Sequence, residues 1–319
     1  MSAAGRPAGL EGAESAEPWT IRRVLTWAVD DLKKRSSTSP RLDAELLLAR
    51  VLGTDRIGLV VDAERPLRKE ELTRYRELHQ RRRAGEPVAY LLGFREFYGR
   101  PFRVDRRVLI PRPDTEILVE VALARTRHLY LSARMLDLCT GSGCVALSLA
   151  RERPTSHVIA ADLSPDAIAV AAENAFRLGA YNVGFVVSDA FAALRPGRDR
   201  FDVITANPPY IAEGEIPTLT VDIRGYEPAL ALDGGSDGLA VVRRIVAEAP
   251  AFLDAGGVLA VEIGSDQGPA VRELFATAGF SDIEVRRDYG GLDRVVSGWA
   301  GGLGVSPIVT GSVTSASSS

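Results

Sequence analysis

The chain has 319 residues, 46% of them apolar, and a formal net charge of −3; that length buries a full core and favours two domains. No apolar run reaches the ~18 residues of a membrane span, and the mild acidity argues against a broad electrostatic grip on nucleic acid. Lysine occurs only at positions 33, 34 and 69, so arginine carries nearly all the positive charge, which reads as a coding bias rather than a site.

Residues 1–18 are rich in Ala, Gly and Glu and have no apolar h-region. Glu11, Glu14 and Glu17 argue against a transit peptide, so a disordered extension is expected. Residues 19–88 read as a small helical domain. Ile21, Val24, Leu25, Ala28 and Leu32 recur at helical spacing. Ser39-Pro40 starts a second helix and Gly53 stops it, with Leu42, Leu46, Ala49 and Leu52 as its apolar face. A third helix is predicted from Pro66 to Gln80, carrying Leu67, Leu72, Tyr75 and Leu78. Arg81-Arg82-Arg83 closes it. Those cations could meet ribosomal RNA or an acidic partner, but the favoured reading is cations at a helix C-terminus facing water. Residues 89–110 read as a linking β-hairpin, with extended segments from Tyr90 to Val108 around Tyr98-Gly99-Arg100-Pro101. Phe94, Phe97, Tyr98 and Phe102 would line a target entrance or fill an inter-domain core.

Residues 111–300 alternate strand and helix in the doubly wound manner. Met135–Cys139 reads as a buried strand, Thr140-Gly141-Ser142-Gly143 as a turn, and Cys144–Ala150 as the opening of a helix. Glycines admit a ligand close to the backbone, and the helix start offers free N–H groups and a positive dipole end, a place for a carboxylate. Val158–Asp162 is a second strand ending in an acid about 20 residues past the glycines, the spacing that puts a carboxylate on ribose hydroxyls. NAD would fit this half-motif. However, Ala146 stands where the third glycine of G-x-G-x-x-G would be, and S-adenosylmethionine is the better ligand. Pro165–Leu178 is a helix capped by Ser164, and Gly184–Ser188 a strand.

The apolar run Phe201–Ala206 is the next strand, and Asn207-Pro208-Pro209-Tyr210 ends it, since two prolines cannot continue a ladder. The Asn207 side-chain oxygen and the Pro208 carbonyl can accept the two N–H bonds of an –NH2 group while Tyr210 packs on its plane. Strands at Gly257–Glu262, Ile283–Arg287 and Arg294–Trp299 and a helix at Gln267–Ala278 complete the series, and residues 301–319 are expected to be a disordered tail. Gly141, Asp162, Asp189 and Asn207 all fall at carboxyl ends of strands, where open α/β sheets bind ligands. His79, His128 and His157 have no metal-like spacing, so no metal is expected. Cys139 and Cys144 could form a disulfide, but a reducing cytoplasm is the simpler reading.

From Trp19 to Trp299 the chain resembles the HemK/PrmC family, the glutamine N5-methyltransferases of peptide-chain release factors. The resemblance rests on Ile110-Pro111-Arg112-Pro113-Asp114-Thr115-Glu116, on Asp137 to Gly143, Asp162 and Asp189-Ala190-Phe191, on Asn207 to Tyr210, on Glu227-Pro228-Ala229-Leu230 and on Gly234 to Leu239. It implies a class I, Rossmann-like, seven-stranded methyltransferase domain that uses S-adenosyl-L-methionine. Cofactor contacts are expected at Cys139, Thr140, Gly141, Ser142, Gly143, Asp162, Asp189, Ala190 and Asn207. Catalysis and substrate binding are expected at Asn207, Pro208, Pro209 and Tyr210, with Arg112 as a further substrate contact.

Arg112 and Asp114 would be site contacts or a cap after Pro111; Glu227 and Asp237 read as ties of a lid. Two departures stand out. Cys139 takes the place where the family usually has the first loop glycine, and Ala190 one where relatives can carry an aromatic. The implied partners are class 1 release factors, methylated on the Gly-Gly-Gln glutamine by a cytoplasmic monomer. The alternatives are glutamine methylation of a ribosomal protein, and methylation of an exocyclic amine such as adenine's in DNA or RNA. A primary amide nitrogen is a poor nucleophile and a methyl sulfonium an activated electrophile, so alignment matters more than a strong base.

Overall fold

The computed structural model describes residues 18–35, 37–129 and 132–301. The expectations for residues 1–17 and 302–319 lie outside the described residues. The chain divides into two compact units, Met1–Leu92 and Gly93–Ser319.

The first unit holds α1 (Ile21–Lys33), α2 (Pro40–Leu52), α3 (Arg56–Val61), α4 (Lys69–Arg83) and α5 (Val88–Leu92). Thr20 caps α1 through the Arg23 amide, and Gly53 ends α2 at φ 66°. Ile21, Val24, Ala28 and Leu32 of α1 pack with Leu47, Leu48, Leu59 and Tyr75. The buried face of α2 is therefore Ala44, Leu47, Leu48 and Ala49, while Leu42 is exposed. The helix packs against α1, α3, α4 and α5 together, so no single stripe marks its inner side. α4 starts at Lys69 rather than Pro66. Pro66 bridges to Thr20, and the Glu71 carboxylate accepts the Arg68 amide at 2.8 Å, which sets the first turn. The short α3 was not legible: Ile57, Val60 and Val61 are exposed, so it has no amphipathic period. Arg81, Arg82 and Arg83 are paired to Glu86, Asp43 and Asp31, so neither a free basic stripe nor a simply solvated one is present.

The second unit opens on a hairpin, β1 (Phe94–Phe97) and β2 (Arg100–Arg103), paired antiparallel across Tyr98 and Gly99, both at positive φ. The expected extended segment begins late, because Val88–Leu92 is helical. Phe97 and Phe102 are fully buried in the core of this second unit, and Phe94 is exposed.

Then follow α6 (Glu116–Arg125), β3 (Arg134–Leu138), α7 (Cys144–Glu152), β4 (His157–Asp162), α8 (Pro165–Leu178), β5 (Val183–Val187), β6 (Phe201–Ala206), α9 (Val221–Arg224), α10 (Ala240–Glu248), β7 (Leu253–Glu262), α11 (Gly268–Thr277), β8 (Ser281–Arg287) and β9 (Asp293–Trp299). The seven-stranded sheet runs β5-β4-β3-β6-β7-β9-β8, parallel except where β9 pairs antiparallel with β7 and β8. Alternate residues feed two cores: Met135, Val203 and Ala260 face α6 and α7, whereas Leu136, Ile204 and Leu259 face α10 and α11. The strand order reverses between β3 and β6, where such sheets bind ligands. Among the described residues no helix is long and apolar enough to cross a membrane.

Candidate active site

The turn after β3 is tied from three sides. The Thr140 amide donates to the Ala161 carbonyl at 3.0 Å and the Gly143 amide to the Thr140 carbonyl at 2.8 Å. The Thr140 hydroxyl donates to Asp137 at 2.6 Å, and Thr205 of β6 donates to the other Asp137 oxygen at 2.7 Å. Gly143 is the cap of α7 at φ 81°, where a Cβ would lie 3.1 Å from Ala171 and Leu147. Asn174, fully buried on α8, donates to the Ser142 carbonyl and is bonded on both sides to the Arg103 backbone. This amide joins hairpin, turn and helix; its only sequence signal was a polar residue on an apolar helix face.

Asp162, at the end of β4, accepts from the Gly141 amide at 2.8 Å and the Ser164 amide at 2.9 Å. Burial raises its pKa, so the carboxylate favours further donors. Asp189 is ion-paired to Arg244 at 2.7 Å. Cys139 and Ala190 have φ of 56° and 48°, a left-handed backbone that favours glycine. The resemblance places a glycine at the first of these positions, and this geometry gives the physical reason. Cys139 and Cys144 are free thiols, not a disulfide.

Beyond β6, Asn207 Nδ2 donates to the Thr115 hydroxyl at 3.3 Å. Among the described residues no hydrogen bond reaches Asn207 Oδ1 or the Pro208 carbonyl. The Tyr210 carbonyl accepts from Gln267 at 2.9 Å, and the Tyr210 hydroxyl faces Glu262 at 3.5 Å. Glu262, at the end of β7, is 1% exposed. Sequence reasoning gave it no role, although an acid closing an apolar strand was the available signal.

These groups surround one cavity of about 200 Å3, lined by Cys139, Thr140, Gly141, Ser142, Asp162, Asp189, Ala190, Asn207 and Pro209, and also by Thr115 and Arg112. Gly143, Pro208 and Tyr210 do not line it: Gly143 caps the helix behind, Pro208 is buried, and Tyr210 turns toward Glu262. Arg112 is bound to Glu227 at 2.6 Å, and the other Glu227 oxygen accepts the Ile110 amide at 3.2 Å. Asp114 lies 3.7 Å from Arg294, and Asp237 accepts the Leu239 amide and pairs with Arg243. Among the described residues no group of three His, Cys, Asp or Glu could hold a metal.

Burial pushes Asp137 up to about 6 and Glu262 up to about 7, from ordinary values of 3.8 and 4.5. Both carboxyls bind protons more tightly folded than unfolded, so their contribution to stability falls as pH rises from about 4 to 7. Urea unfolding at pH 4.5 and 7 should show that Glu262→Gln loses less stability, or gains more, than the parent between the two pH values. Equal slopes would contradict the burial reading.

The chain matches two domain families, the PrmC N-terminal domain over residues 23–93 and a methyltransferase domain over residues 132–273. It is 46% identical over 288 residues to the release factor glutamine methyltransferase of Geobacter sulfurreducens, which spans 90% of this chain and 99% of that relative. The Vibrio cholerae protein of the same description is 44% identical over 279 residues, 88% of this chain and 96% of the relative. Among solved structures, the hMettl16 catalytic domain in complex with an RNA hairpin has a TM-score of 0.53 at 14% identity, over 67% of this chain and 80% of that one; it bears on fold alone.

Proposed function

This chain belongs to the release factor glutamine methyltransferases, and we propose that it methylates the side-chain amide nitrogen (N5) of the Gly-Gly-Gln glutamine of class 1 peptide chain release factors, using S-adenosyl-L-methionine. The observation that carries this reading is that the glycine turn and the Asn207–Tyr210 loop meet on one cavity. The donor set fits the cofactor. The turn and the first residues of α7 suit a carboxylate, Asp162 is an acceptor for ribose hydroxyls, and Asp189-Ala190 with apolar Leu138 and Ala161 suit a base. Bound there, the cofactor supplies an activated methyl group.

The remaining work falls to the chain. Asn207 Oδ1, at the cavity wall, accepts an amide N–H bond and holds the nitrogen in line, while Pro208, buried behind that wall, is assigned no contact. The acceptor is fixed in advance at a strand end, so little reorganisation is needed. The buried carboxyls are used as acceptors within the fold, so no base is assigned. Arg112, held by Glu227, is kept as a substrate contact at the cavity wall. A cytoplasmic setting belongs to the same proposal.

The same acceptor would suit an exocyclic amine. Labelled cofactor is therefore offered with a class 1 release factor, a ribosomal protein preparation and adenine-containing DNA and RNA in separate reactions. Label is expected in the release factor; efficient labelling of nucleic acid with an unlabelled factor would overturn the reading.

A further inference from the structure

The loop 207–210 has few backbone groups with which to hold itself, since Pro208 and Pro209 carry no N–H. Upstream it is fixed by β6, whose Ala206 pairs with Leu138 and Val261. Downstream the chain lies along residues 232–235. The Ile211 amide donates to the Leu232 carbonyl at 3.1 Å, the Gly234 amide to the Ile211 carbonyl at 2.9 Å and the Glu213 amide to the Gly235 carbonyl at 2.9 Å. Between these two anchors stands Tyr210, and a third element reaches it there.

Gln267 leads into α11 and is partly buried. Its Oε1 accepts the Gly264 amide at 2.9 Å, which closes the turn after β7. Its Nε2 donates to the Tyr210 carbonyl at 2.9 Å and faces the Gly238 carbonyl at 3.5 Å. A main-chain N–H only donates and a carbonyl only accepts, so this amide has one orientation. Among the described residues no other side chain is bonded to the main chain of 207–210. Gly238 has a φ of 74°, and a Cβ there would press on the Tyr210 carbonyl and come within 2.8 Å of Gln267 Nε2. The end of the site loop, the glycine segment before α10 and the turn between β7 and α11 therefore meet on one side-chain amide. Gln267 does not line the cavity; it acts through the loop.

We propose that Gln267 is a positioning residue, which pins the Tyr210 carbonyl and so sets where Asn207 reaches into the cavity. The inference rests on the function proposed above. Proline fixes φ at 208 and 209, so a shift at Tyr210 is carried back to Asn207 rather than absorbed between them. Displacement of that acceptor costs alignment of the nitrogen, while both substrates keep their other contacts.

The test compares full-length Gln267→Met, Gln267→Glu and Asn207→Ala, and the double variant Gln267→Met with Asn207→Ala, using a release factor as acceptor at about pH 8.5, well above the ordinary glutamate range. Methionine keeps the length and removes both partners. Glutamate keeps the acceptor for the Gly264 amide and sets an oxygen against the Tyr210 carbonyl. Both single variants should lower kcat about tenfold or more, with KM and cofactor Kd within about twofold of the parent. In the Asn207→Ala background, Gln267→Met should add little further. Parent-like kcat in Gln267→Glu beside a strongly impaired Asn207→Ala would overturn this inference, leaving Gln267 only to close its own turn and the proposed function standing. An equal loss from Gln267→Met in both backgrounds would also overturn it. Near-parent activity in Asn207→Ala would instead overturn the reading of the loop itself. If Gln267→Met does not fold, Gln267→Glu takes its place in the double variant, with the same expectations.

Discussion

Asn207→Ala is expected to cut methyl transfer by about 10²–10³ while leaving cofactor affinity largely intact, the effect of losing one preorganised polar contact in a reacting site. Asn207 follows β6 at the strand end, with the rigid pair Pro208-Pro209 after it and Thr115 on its amide nitrogen. Its oxygen meets no donor among the described residues. Removing it takes away an acceptor that acts on the nucleophile rather than on the cofactor, so the loss falls on kcat. Single-turnover rates measure it directly, and a near-parent rate would contradict the role assigned here.

Asp162→Ala is expected to weaken cofactor binding by about 1.5–3 kcal/mol, roughly 10–150-fold in Kd, the worth of a charge-assisted hydrogen bond. The carboxylate also holds the Gly141 and Ser164 amides, so the variant loses a ribose acceptor and loosens the turn together. Calorimetry of cofactor binding is the check. Unchanged affinity would remove ribose from the list of Asp162 partners. A fall in thermal stability with unchanged affinity would leave Asp162 with the structural role alone.

The second unit was legible in outline because its strands are short apolar runs that end in punctuating residues. Asp162 ends one run, and Asn207-Pro208-Pro209 ends another. Glycines at 141 and 143 set the turn between β3 and α7, and both have positive φ. α6 and α10 went unseen, since neither presents a clear start signal; Thr115 and Leu239 cap them without a side-chain bond. In the first unit, α2 showed the limit of periodicity. With apolar residues at 42, 44, 46, 47, 48 and 49, several stripes were possible, and contacts with four other helices decided among them.

The site divides in the same way. The turn and the Asn207 loop are local in sequence and could be read there. Thr115, Glu262 and Asn174 act across separations of 92, 52 and 32 residues, on Asn207, Tyr210 and Ser142 respectively. No local pattern carries such pairings. The arginine triplet shows the opposite case, a conspicuous local signal whose charges are met by Glu86, Asp43 and Asp31 once the chain has folded.

The central claim is that the acceptor is a glutamine side chain. Mass spectrometry of a class 1 release factor, treated with this protein and S-adenosyl-L-methionine, should show one added methyl group on the glutamine of its Gly-Gly-Gln motif. A factor with that glutamine replaced should gain none. An unmodified glutamine, beside adenine methylation in DNA or RNA offered under the same conditions, would contradict the account.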